Sequence, residues 1–319
     1  MEPIILKPAC KDYLWGGKRL REEFGKESEA DRIAETWELS CHPNGESIVA
    51  SGEFEGMSLT QWIENAGKEV LGRECEKFDR FPIIIKLIDA NQKLSVQVHP
   101  SDSYALKTSG EYGKTEMWYV LDCEPDASII YGFNREIEKE EFAQRIANGT
   151  LAEVLNFVPV HKGDVFFIES GTIHAIGEGI LIAEIQQNSD ATYRVYDYGR
   201  VGADGKTREL HIDKAIDVTN LTVAKKGDSD VRWDEYDGYK CRALASCKYF
   251  ATELLKIETK ATLSVDSKSF VSLLCVDGEA VLACNGKEYK MIAGTSVFLP
   301  ASLGEYSLIG KADVILSHI

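Results

Sequence analysis

A turn frame that occurs twice constrains the fold of this chain more than any other feature. Gly163 is followed after five residues by Glu169, then Ser170, Gly171, two residues and His174. Gly294 is followed after five residues by Pro300, then Ala301, Ser302, two residues and Glu305. Glycines at fixed offsets beside β-rich runs such as Asp164-Val-Phe-Phe-Ile168 mark strand–turn–strand units, and a repeated unit predicts two copies of one β architecture. Much of the remaining chain reads the same way, as short strands closed by glycine, asparagine or aspartate. Examples are Lys240 to Leu255, Ser269 to Val276, and Ala280 to Cys284 before the turn Asn285-Gly286. The expected class is mainly β, of sandwich or barrel type.

Helices interrupt this pattern in two clear places. Ser58 stands three residues before Gln61 at the head of Leu-Thr-Gln-Trp-Ile-Glu-Asn-Ala, a capping-box start. Lys139 to Phe157 carries Phe142, Ile146, Leu151 and Leu155 among charges and is broken near Asn148-Gly149, which predicts a pair of short amphipathic helices. This insertion, about 136–157, lies between Glu116 and His174, so it can cap the site described below without contributing ligands. Residues 225 to 239 are polar and turn-rich and read as a linker, so 1–230 and 231–319 are the expected domains, in line with a length of 319 residues.

The net charge is −16, from 36 basic and 52 acidic residues. Such an excess argues against nucleic acid or an anionic membrane as partner. Eight cysteines without a Cys-x-x-Cys pair fit buried thiols in a reducing compartment. With neither a signal-peptide core nor a membrane-spanning run, the expected location is the cytoplasm.

Three separated segments carry metal-ligand chemistry. In Leu94-Ser-Val-Gln-Val-His99 the alternation has period two, so Gln97 and His99 share a face, roughly 7 Å apart along the strand. Glu116 lies in the apolar run Thr115 to Leu121, and His174 ends the first turn frame. Two imidazoles and a carboxylate leave an open position, the usual state of a catalytic zinc site. Gln97 is a weaker fourth donor, because its amide oxygen is neutral. A strand histidine taken alone is ordinarily a hydrogen-bonded core or surface residue; only the joint pattern points to a metal. The same donors would also serve a non-haem iron oxygenase, and a sugar-binding protein without activity could keep them.

The first frame resembles the second sequence motif of the cupins, with Glu169 in place of its proline. The second frame resembles a degenerate copy in which Glu305 replaces the metal histidine. Over the whole chain the sequence resembles the short bacterial type I mannose-6-phosphate isomerases: Tyr13 to Gly17, Ala34 to Ser40, Lys86 to Ala90 leading into Val96 to Pro100, Lys114 to Glu116, Gly171 to Ala175, and most specifically Gln186-Gln-Asn-Ser-Asp-Ala-Thr-Tyr-Arg-Val-Tyr-Asp197. The resemblance implies a bicupin, two jelly rolls with small helical insertions, the second without metal. It also implies zinc-dependent interconversion of mannose 6-phosphate and fructose 6-phosphate, one zinc per chain. Position by position, His99, Glu116 and His174 match the family's ligands, Gln97 a fourth ligand in part of it, and Arg194 its active-site arginine. Longer members carry a histidine before the matching lysine and a proline after it, whereas Gly113 and Thr115 flank Lys114 here.

Moving a carbonyl between C1 and C2 needs a base, and a cation where negative charge develops on oxygen. Lys114, two residues before Glu116 and so on its strand face, and Arg194 can each serve the reacting oxygens or the phosphate. Candidates for the proton carrier are Glu184, Asp190 and a metal-bound hydroxide; Asp190 is also a candidate for substrate binding. Arg194 paired with Asp190 or Asp197 on the surface, and Glu184 facing outward, are the plain alternatives. Trp15 and Trp37 read as packing residues, and His42, His161, His211 and His318 carry no partner pattern.

Overall fold

The structure, a computed structural model, describes residues 1–202, 205–224 and 232–319. Its strands pair antiparallel, and among the described residues three large sheets account for the fold. A six-stranded sheet runs in the order Val165–Ile168, Glu116–Cys123, Ile180–Gln187, Ile83–Ala90, Glu35–Leu39, Ala9–Lys11. A five-stranded sheet runs Leu155–Pro159, Ser128–Phe133, His174–Ala175, Val96–Val98, Tyr193–Tyr196. The two face each other as a jelly roll. Its lower interior is apolar, with Ile88, Trp118, Val120, Ile129, Phe166 and Ile182 in contact, and its upper interior is polar.

Period-two alternation explains that division. Along Ile180–Gln187, Ile182 joins the inner cluster while Leu181, Ala183 and Ile185 face outward into a larger apolar core. The outer core also contains Leu244, Phe250, Phe270, Phe298 and Ile315 from the C-terminal part. The back of the six-stranded sheet is thus buried against the second unit.

That unit is a curled ten-stranded sheet closed around Leu273, Leu282, Met291, Val297, Leu308 and Val314. Its backbone repeats the first turn frame. Gly163 and Gly294 have φ of 90° and 91°; Gly171 and Ser302 have 92° and 63°. The turns close alike, Thr172 N donating to Glu169 O (3.0 Å) and Leu303 N to Pro300 O (3.2 Å). The molecule is a bicupin.

Several local expectations are corrected. Val271–Cys284 is one strand, not two; a register shift between Cys275 and Asp277 absorbs the turn-like Asp277-Gly278 while the ladder to Gly304–His318 continues. The helix Leu59–Ala66 has its capping box from Ser58 and Gln61, but Lys139–Phe157 is one helix, Lys139–Asn148, stopped by left-handed Gly149 and followed by a 3-10 turn and a strand. Leu155 pairs with Phe133 in the five-stranded sheet, so sheet pairing overrides the helix-like spacing of Leu151 and Leu155. The helix does not cap the polar interior. Phe142 packs with Val96, Val98, Ala175 and Val195 on the outer face of the five-stranded sheet, opposite to Gln97, His174 and Arg194.

The first strand, Ile4–Lys7, pairs with Ser296–Leu299 and so lies in the C-terminal sheet. Of the linker expected at 225–239, residues 225–231 lie outside the described residues; Asp234–Tyr236 is already strand. The described residues contain no helix long and apolar enough to cross a membrane.

Candidate metal centre and active site

His174 is registered opposite Gln97, and Gln97 opposite Arg194, across the five-stranded sheet. Glu116 is registered with Gln186 and Trp118 with Glu184 in the facing sheet. These registers deliver His99, Glu116 and His174 to one point, their ligand atoms all within 4.8 Å of one another. The turn frame ties the two histidine segments directly, since Gly171 N donates to His99 O at 2.8 Å. A side chain at Gly171 would sit 3.0 Å from Val218 O on a backbone of φ +92°, so glycine is required there.

All three ligand residues are buried. The Nδ1 atoms of His99 and His174 lie 2.8 Å from the carbonyls of Ala191 and Thr172. A carbonyl only accepts, so each Nδ1 carries the proton and each Nε2 presents a lone pair. Those Nε2 atoms stand 3.5 Å from Glu116 Oε2 and Oε1 respectively. Burial, then the Lys114 charge, holds His99 well below its usual pKa; burial brings His174 down to about 4 despite its bond to Thr172. Both rings are therefore neutral near pH 7. Burial, then repulsion from Glu184, lifts Glu116 to about 7 against the pull of Lys114. Three acceptor groups thus converge, the Nε2 atoms of both rings free of protons, and Glu116 Oε1 has no hydrogen-bond partner. A divalent cation fits this donor set. Gln97 turns its Nε2 to His174 Nε2 at 3.4 Å, so half a turn of the amide would bring its oxygen to the same place.

Lys114 flanks the cluster, Nζ lying 2.9 Å from Glu116 Oε2 and 3.2 Å from His99 Nε2. Glu184 comes next: Oε2 accepts from Trp118 Nε1 (2.9 Å), and Oε1 lies 3.4 Å from Lys86 and 3.7 Å from Lys114. Burial opposes its ionisation, but Lys114 and Lys86 outweigh burial and hold its pKa below the usual value. Glu184 therefore faces inward.

A cavity of about 420 Å³ opens beside these groups, with Lys86, Lys114, Glu184, Ser95, Arg194 and Arg208 in its lining. Its size suits a small ligand. Arg194 pairs with neither Asp190 nor Asp197. It donates to Ser95 Oγ (3.3 Å) and Glu209 O (3.0 Å) and has no carboxylate partner among the described residues, while Asp197 binds Arg208 and Arg200. Asp190 is exposed at the rim, accepting from Asn44 Nδ2 at 2.9 Å.

Sequence reasoning missed Lys86, Glu35, Arg208 and His211. Lys86 is buried between Glu35 (3.3 Å) and Glu184, with Nζ 4.8 Å from the Trp37 ring centre. A lone lysine inside Ile-Ile-Ile-Lys-Leu-Ile was a readable sign, because a charge in a fully buried strand needs partners. His211 accepts from Arg194 N through Nδ1 at 3.3 Å, a partner remote in sequence. Trp15 is buried but also lines the cavity.

A family model described as phosphomannose isomerase type I, catalytic domain, matches residues 4–125. A second, mannose-6-phosphate isomerase, cupin domain, matches residues 240–319. Mannose-6-phosphate isomerase ManA of Bacillus subtilis is 40% identical over 100% of this chain and 99% of its own. The chain belongs to the type I phosphomannose isomerase family. The mannose-6-phosphate isomerase of Streptococcus mutans is 37% identical over 99% of this chain and 98% of its own. The crystal structure of the Bacillus subtilis mannose 6-phosphate isomerase superposes with a TM-score of 0.93 at 35% identity, covering 100% of both chains. As a type I phosphomannose isomerase the chain is an enzyme.

Proposed function

We propose that the chain interconverts mannose 6-phosphate and fructose 6-phosphate through an enediol(ate), with one zinc ion per chain held by His99, Glu116 and His174 and, more weakly, by Gln97. The observation that carries this reading is the buried convergence of His99, Glu116 and His174 beside a cavity that Lys114, Arg194 and Arg208 line. A bound zinc ion supplies Lewis-acid stabilisation of the oxygen charge that develops during the reaction.

The residues divide the remaining work along the cavity. Arg194, without a carboxylate partner among the described residues, suits the phosphate, with Ser95, Arg208 and His211 beside it. Lys114 and Lys86 offer ammonium groups to the reacting oxygens. Glu184, kept ionised by both lysines, is the better placed proton carrier, because its Oε1 has no hydrogen-bond partner and Asp190 is exposed at the rim. Asp190 is then left to hold a sugar hydroxyl. In this reading 1–230 supplies the catalytic unit, apart from Ile4–Lys7, which joins the sheet of the metal-free unit 231–319. Eight free cysteines support a cytoplasmic location.

The test is chelation. Metal-free protein should lose turnover of mannose 6-phosphate and regain it with zinc; isomerisation at the full rate by metal-free protein would overturn the metal-dependent reading.

A further inference from the structure

Tyr249 lies in the turn between Tyr239–Ser246 and Ala251–Ile257 of the C-terminal barrel, yet its hydroxyl donates to Asp102 Oδ2 at 2.7 Å. Asp102 opens a short helix just after the ligand His99 and collects two further donors on Oδ1: Gly113 N at 2.8 Å and Gln187 Nε2 at 2.9 Å. Gln187, buried at the end of the strand that carries Glu184, in turn accepts from Thr115 N through Oε1 at 2.9 Å, and its own backbone N donates to Thr115 O at 3.1 Å. Thr115 is the residue between Lys114 and Glu116.

The relay sits where the chain has no slack. Lys114 N donates to Pro100 O at 3.0 Å, zipping the segment before Glu116 onto the segment after His99. The fit is close enough that a Cβ on Gly113 would stand 2.4 Å from Asp102 N and 2.5 Å from Ser101 C. Gln187 has two ends that differ in hydrogen bonding, and Asp102 decides which one faces Thr115. Without the carboxylate the amide can turn over and set a donor against the Thr115 N–H.

We propose that Asp102 and Tyr249 are positioning residues for the isomerase reaction: the metal-free barrel delivers a hydroxyl that orients Asp102, which through Gln187 and Gly113 fixes Lys114 and Glu116. The proposal gives the second barrel a part in catalysis without a ligand of its own. It rests on the reading that Lys114 and Glu116 belong to the active site.

Tyr249→Phe removes one oxygen and keeps the ring. Asp102→Asn keeps the shape but leaves one acceptor oxygen in place of two. Orienting partners of this kind are worth roughly 10–100-fold in activity or metal affinity, so Tyr249→Phe should lower kcat about tenfold and Asp102→Asn more, with KM for mannose 6-phosphate within about twofold. Leu308→Ala, in the core of the same barrel and away from the relay, is the structural control: it should lower the melting temperature and leave kcat unchanged at temperatures below unfolding. A tenfold loss of kcat in Tyr249→Phe with an unchanged melting temperature supports the proposal. A kcat unchanged in Tyr249→Phe, or reduced only in proportion to unfolded protein, overturns it. Failure of the underlying reading looks different, since unaltered protein would then show no metal-dependent isomerisation.

Discussion

At the end of its turn frame the first barrel places His174, fully buried beside His99 and Glu116; at the same offset the second barrel places Glu305, whose side chain is exposed. The backbones of the two frames agree in their left-handed positions and closing hydrogen bonds. What differs is the filling. Lys86, Glu184, Glu116 and both ligand histidines occupy the upper interior of the first barrel, whereas leucine, valine and methionine fill the second. A cluster of converging donors therefore needs a polar interior around it, and the turn frame alone does not supply one.

The largest expected effect separates the frames by one substitution in each. His174→Ala should lower turnover by more than ~100-fold and deplete bound zinc, since even partners one bond further out cost 10–100-fold; Glu305→Ala should change neither. Steady-state kinetics with elemental analysis reads both, and a comparable loss in Glu305→Ala would break the contrast. Next in size, Arg194→Ala should lose about 100-fold in kcat/KM, on the scale of one charged donor aimed at a developing or bound anion, with zinc content intact. Loss of zinc in that variant would tie Arg194 to the metal end instead.

A smaller effect concerns protons. With Glu116 at about 7 and His174 at about 4, metal-free protein at about pH 6 carries a proton on Glu116 and none on the ligand rings. Zinc uptake should then release close to one proton at about pH 6 and nearly none at about pH 8, measurable by titrating zinc in buffers of different ionisation enthalpy. Equal release at both would contradict a protonated Glu116. The smallest effect is an expected absence: Glu305→His should leave zinc at one per chain, because position 305 is exposed and lies outside the one buried cluster of converging donors found among the described residues.

Much of this is legible in the sequence. The period-two runs predicted the strands and the face on which Gln97 and His99 lie, and the two glycine frames predicted the repeat. The helical insertion was misplaced because its amphipathic pattern says that one face is buried, not which side of a sheet it covers; Phe142 covers the outer side. Arg194 stands out as a candidate only through the resemblance, and its partner Ser95 lies nearly a hundred positions away in sequence.

By itself, then, the sequence determined what is local: strand alternation, the left-handed turn positions, the capping box at Ser58, and the residue types able to hold a divalent cation. Only the tertiary structure decided which charges are paired. Lys86 between Glu35 and Glu184, the neutral rings of His99 and His174, and the reach of Tyr249 to Asp102 all join segments far apart in the chain. Their energies come from burial and from the geometry of partners that no spacing rule encodes.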